Sequence, residues 1–297
     1  MSKSDATATF TPIRDPVITE LLIDSGASAN TRNCLGSTPL HYAPTSSISR
    51  MLVSTGADVN ARNKYGSPPL QHVKNAAIAK ILLDAGADVN AQNIYGLTAL
   101  HYAKDRYIAK LLIDRGADIH TQDCYGNTLL HYPRDPVIAE LLIDSGASAN
   151  TRNCFGFTPL HCVKTAAISR MLVSAGADVD IKDNLGYSLL HLRSSFPASI
   201  VKVLIAAGAN VNVQDKFGNT PLHFANDAIT QLLISAEADV NIQNHAGCTP
   251  LHCQKNAIIA KLLICAGADL SIQDNYGHTP LHYQSDPGVL GPLLLDL

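Results

Sequence analysis

Apolar and polar positions alternate along this chain in short blocks that recur about every 30 residues. In one block, Ile78, Ile81, Leu82 and Leu83 fall at helical spacing and predict a helix over 78–85. The stripe is wider than one face requires, as expected where a neighbour packs on each side. Gly86 follows, a residue suited to the left-handed position that ends a helix. Ala87-Asp88-Val89-Asn90-Ala91 and the turn to Gly96 then read as an extended hairpin arm. After the hairpin glycine comes Thr-Pro-Leu-His, intact at Thr38–His41, Thr158–His161, Thr220–His223, Thr249–His252 and Thr279–His282. Thr is a good N-cap and Pro costs no hydrogen bond at a first helical position, so a short first helix is predicted there.

Two glycine registers fix the period. One runs Gly36, Gly66, Gly96, Gly126, Gly156, Gly186, Gly218, Gly247 and Gly277, with spacings of 30 except for one of 32 and one of 29. The other tracks it from Gly26 to Gly267. The chain is therefore a tandem array, not two globular domains.

The Thr-Pro-Leu-His tetrads, with the Gly-Ala-Asp-Val-Asn strings at 56–60 and 86–90, resemble ankyrin repeats from about Thr11 to Leu297. The resemblance implies an all-α ankyrin-type helix-turn-helix solenoid with projecting β-hairpins. Residues 1–10 then form a short polar N-terminal tail, and 11–297 a single solenoid of about nine to ten units. It further implies that the motif histidine ties adjacent loops together and that partners are gripped by hairpin tips and by a concave face lined by the first helices.

The period departs from the family's repeat of about 33 residues. His101 to Ile108 spans only 7 residues, so the first helix should lose roughly one turn. Pro44, Pro133 and Pro136 fit a helix that stops early. Ser194-Ser195-Phe196-Pro197 lengthens one unit, where a local bulge is expected. Glu237 stands where a helix-ending glycine belongs, and Gln71 replaces one motif histidine. Arg14–Cys34 and Arg134–Cys154 differ only at Thr19 against Ala139, so a four-repeat block is duplicated. This reads either as recombination in a repetitive gene or as two equivalent binding surfaces.

Composition and charge then narrow the function. The net charge is −3, with 13 basic against 14 acidic residues up to Asn150 and 9 against 11 after it. Nucleic-acid binding, which needs concentrated Lys and Arg, is not expected. No apolar run nears the roughly 18 residues that span a bilayer, and residues 1–10 lack signal-peptide character. Seven cysteines with no CxxC pair point to a reducing compartment, hence a cytoplasmic location, or delivery into a host cell.

Eight of the twelve histidines are the motif residue, about 10 Å apart if neighbouring repeats pack like helices, too far to share a metal. Asp24, Asp84, Asp114 and Asp144 recur once per repeat and form no acid–base pair. No phosphate-cradling loop is present. No catalytic residue, metal site or cofactor is expected, and the chain reads as a monomer that is not an enzyme.

Function is sought on residues that vary between otherwise similar units. Tyr65, Tyr95, Tyr125 and Phe155 form an aromatic ladder before the hairpin glycine. Tyrosine offers large contact area at low rotamer cost, although each ring could instead pack on the next hairpin. Ile94, Leu97, Phe157 and Tyr187 place further apolar groups at the expected tips. These eight residues are the candidate protein-binding set. Tyr42, Tyr102, Tyr132, Phe224 and Tyr283 on the first helices read as packing residues. The function expected is a protein–protein interaction module. The alternatives are an inhibitor or immunity-type regulator of a partner enzyme, or a host-directed effector of an intracellular bacterium or virus.

Overall fold

The computed structural model describes residues 15–132, 135–191 and 197–283. The chain divides into two compact units, Met1–Tyr125 and Gly126–Leu297. In the first, the helices Pro16–Asp24, Ser46–Ser54, Ala76–Asp84 and Arg106–Asp114 pack side by side in chain order. In the second, Pro136–Asp144, Ala166–Ser174, Ala198–Ala206, Asp227–Ser235 and Ala257–Cys265 do the same.

Each of these helices is nine residues long and most start at a side-chain cap. Asn75 Oδ1 accepts from the Ile78 amide at 2.9 Å, and Asp105 Oδ1 accepts from that of Ile108 at 2.9 Å. These caps satisfy amides that have no partner in the first turn. From Ala76–Asp84, Ile78, Ala79 and Leu82 are buried between the flanking helices. Leu82, Leu112, Leu172, Leu204 and Leu233 repeat one core position at under 2% exposure. Each such leucine contributes on the order of 1.5–3 kcal/mol.

The first helices are single turns, such as Pro39–Tyr42, Ala99–Tyr102 and Leu129–His131, only three or four residues long. The shortened period predicts this trimming. Residues 103–105 then lead directly into Arg106–Asp114.

The hairpin arms differ from the expected β-hairpins. Among the described residues they form no strand, and one isolated bridge pairs Lys182 with Ser188. Each arm is a compact finger instead. Asn63 Oδ1 accepts from the amides of Tyr65 and Ser67 at 2.9 and 3.1 Å, and the Asn63 amide donates to the Ser67 carbonyl at 3.1 Å. The amides are used up inside the turn, so no ladder extends.

The two glycine registers serve different ends. At Gly96 (φ +77°) a Cβ would lie 2.9 Å from Asp123 Cα, so the next finger leaves no room for one. At Gly86 (φ +86°) nothing lies within 4 Å, and the requirement is conformational alone. Glu237 occupies that second register at φ 61°, the one non-glycine residue among the described ones with a positive φ. The tail at 1–10, Pro133 and the Ser194–Phe196 insertion lie outside the described residues.

Candidate interaction surface

Three recurring sets of hydrogen bonds fasten fingers to the next repeat. The first uses the motif histidine. Nδ1 of His41 accepts from the Thr38 amide at 3.1 Å and faces the Thr38 hydroxyl at 3.0 Å. Nδ1 therefore carries no proton, and Nε2–H donates to the Ser67 carbonyl at 3.0 Å. In the second unit His131, His191, His223 and His252 make the same bond to Phe157, Asn219, Cys248 and His278. Gln71, the substitute for histidine, keeps the donor: Nε2 reaches the carbonyls of Ala91 and Leu97 at 2.9 and 2.8 Å.

The second set joins finger to finger. The carbonyls of Leu35, Tyr65 and Tyr95 accept from the amides of Lys64, Ile94 and Cys124 at 2.9–3.0 Å. The third runs from an asparagine in five of the arms. Asn60 donates Nδ2 to the Gly86 carbonyl at 3.1 Å and accepts the Asp88 amide at 2.8 Å. Asn30, Asn90, Asn150 and Asn241 repeat the pattern. The sequence reading missed this role, although the Asn recurs at the repeat period.

This backbone frame sorts the candidate residues into two groups. Tyr65, Ile94, Tyr95, Tyr125 and Phe155 are exposed, Ile94 to 61% and Tyr95 to 48%. The ladder fastens the stack through its backbone carbonyls, while the rings of Tyr65 and Tyr95 stay substantially in solvent. Leu97, Phe157 and Tyr187 lie in the finger turns and are half-buried. Their amide or carbonyl groups belong to the finger turns and the histidine links, which draws these side chains inward. The Phe157 ring stacks on His161, with centroids 5.3 Å apart and planes 13° apart. Tyr187 lies 6.1 Å from His191.

The tyrosines that end the first helices are also exposed rather than packed in the core. Tyr42, Tyr102 and Tyr132 each accept from an asparagine Nδ2 in the neighbouring finger, for Asn93 and Tyr102 at 3.0 Å. The Tyr283 hydroxyl donates to Asp274. Within each unit, finger and first helix are thus joined at exposed phenol rings. The signal for this was an aromatic residue directly after the motif histidine.

Burial favours the neutral form of five motif histidines, His41, His101, His161, His191 and His223. It pushes His101 and His161 down to about 4, while a nearby carboxylate offsets only part of the effect. His41, His191 and His223 are lowered for the same first reason, with their carbonyl partners opposing it. Among the described residues, no group of three or more His, Cys, Asp or Glu is placed to hold a metal ion. No helix among them is long and apolar enough to cross a membrane.

The ankyrin-repeat family model (three copies) matches residues 13–93, 70–152, 190–253 and 224–286, and the single-repeat model matches 155–184. No curated protein matches the sequence. Ankyrin repeats are in general protein–protein interaction modules and non-catalytic.

Proposed function

We propose, from the premise that this chain belongs to the ankyrin-repeat family, that it is a non-catalytic module binding a protein partner through its fingers and first helices. The observation that carries this reading is the exposure of the rings of Tyr65, Tyr95 and Tyr125 in the first unit and of Phe155 in the second. The backbones of Tyr65 and Tyr95 are pinned by bonds from the next finger. Rings held on a fixed frame lose little entropy on binding, which favours them as anchors. The half-buried Leu97, Phe157 and Tyr187 support that frame and add contact area beside it.

The proposal includes a monomer working in a reducing cytoplasm. Five of the seven free cysteines are exposed, which suits such a compartment. The test is quantitative affinity capture with the full chain beside a variant carrying Tyr65→Ser, Tyr95→Ser and Phe155→Ser. A partner recovered by the native chain and lost from the still-folded variant supports the reading. A partner retained by both moves the site off the fingers. The partner's own activity decides between adaptor, inhibitor and effector.

A further inference from the structure

The first unit carries ten Lys and Arg and ten Asp and Glu between residues 15 and 125, yet they are not mixed along the repeat. Six of the ten cations, Arg32, Arg62, Lys64, Lys74, Lys104 and Arg106, lie between the finger and the first residue of the following long helix. Seven of the ten carboxylates lie away from the finger turns: Glu20, Asp24, Asp84 and Asp114 on the long helices, and Asp58, Asp88 and Asp118 at the start of the arms that leave them.

The remaining three carboxylates are already engaged: Asp15 caps Val17 and Asp105 caps Ile108, each at 2.9 Å, and buried Asp123 accepts the Tyr125 amide at 2.8 Å. On the long-helix side Lys110 pairs with Asp114 at 2.7 Å and Arg115 with Asp84 at 2.8 Å, while Arg50 and Lys80 have no ion-pair partner among the described residues. Lys64, Lys74, Lys104 and Arg106 are exposed and have no ion-pair partner among the described residues. The exposed Tyr65, Tyr95 and Tyr102 belong to the same fingers and first helices.

We propose that the finger and first-helix side of this unit takes an acidic polypeptide segment, its carboxylates meeting these unpaired cations and its apolar groups the tyrosine rings. This rests on the interaction reading above and names the chemistry of the partner. A positive face in a unit of balanced charge steers an acidic chain to one side of the molecule and repels it from the other. A nucleic acid is less well served, because its phosphates call for an overall excess of cations that this unit lacks.

The experiment is a display selection of random dodecapeptides on the full chain, followed by affinity measurement of the enriched peptides. Two variants accompany the native protein: Lys64→Glu with Lys74→Glu and Lys104→Glu, and, on the long helices, Arg50→Glu with Lys80→Glu. Circular dichroism checks that both fold. The enriched peptides are expected to be rich in Asp and Glu. Their affinity is expected to fall at least about tenfold in the first variant, to hold in the second, and to weaken as salt rises from about 50 to about 500 mM.

Equal loss in both variants would overturn the proposal, as would tighter binding of oligothymidylate than of the acidic peptides. Neutral or basic peptides that depend on Tyr65 and Tyr95, tested as Tyr65→Ser with Tyr95→Ser, would overturn the acidic class and leave the finger surface standing. Peptides indifferent to every finger variant would overturn both.

Discussion

Nε2 of His131 lies 2.9 Å from the carbonyl oxygen of Phe157, 26 residues further along the chain. The bond requires a neutral imidazole with its proton on Nε2, because Nδ1 already accepts from the Thr128 amide at 3.0 Å. Recurring links of this kind make the fold sensitive to acid.

The expected pH dependence follows from that sensitivity. His101 and His161 sit at about 4 in the folded chain, and His41, His191 and His223 are also lowered, all chiefly by burial. In the unfolded chain a histidine titrates near 6.5. The unfolded state therefore binds more protons below that value, and stability falls as pH drops from about 6.5 toward about 4. Urea denaturation at several pH values should show a falling midpoint across this window. A midpoint that stays level there would refute the role given to these histidines.

Asn60→Ala removes two bonds to the next repeat, one to Gly86 and one from Asp88. A loss of about 1–2 kcal/mol is expected by chemical denaturation. A change under about 0.3 kcal/mol would mean that solvent replaces both bonds at no net cost.

Glu237→Gly relieves the left-handed backbone at φ 61° without removing a packed group, since Glu237 is exposed. The variant should gain about 1 kcal/mol and melt at a higher temperature. An unchanged or lower melting temperature would show that the glutamate side chain compensates for the strain.

Phe155 and Phe157 are two residues apart and should respond differently. Phe155→Ser replaces an exposed ring and should change stability by no more than about 0.5 kcal/mol. Phe157→Ser loses the stack on His161 and should cost about 1–2 kcal/mol. Parallel denaturation curves test the pair, and equal costs would contradict the placement of the two rings.

The period, the caps and the single-turn first helices were legible in the chain because each is encoded locally, by glycine, by Thr-Pro and by the short gap from His101 to Ile108. The family followed from the same residues. The orientation of Leu97, Phe157 and Tyr187 was not legible, because it depends on bonds to residues in neighbouring repeats. The same holds for the exposed phenol of Tyr102, placed by Asn93. Burial is also not written in a string: Leu142 is 3% exposed and its counterpart Leu22 is 49% exposed, within near-identical sequences. What packs on a helix face sets its burial.

The central claim is that the finger rings contact a protein partner, and site-specific photocrosslinking tests it most directly. A benzophenone amino acid at Tyr95 should give a covalent adduct with the partner on illumination, and the same group at Lys80 on the long helix Ala76–Asp84 should give none. Adducts from Lys80 and none from Tyr95 would contradict the account and move the interaction to the opposite side of the repeat.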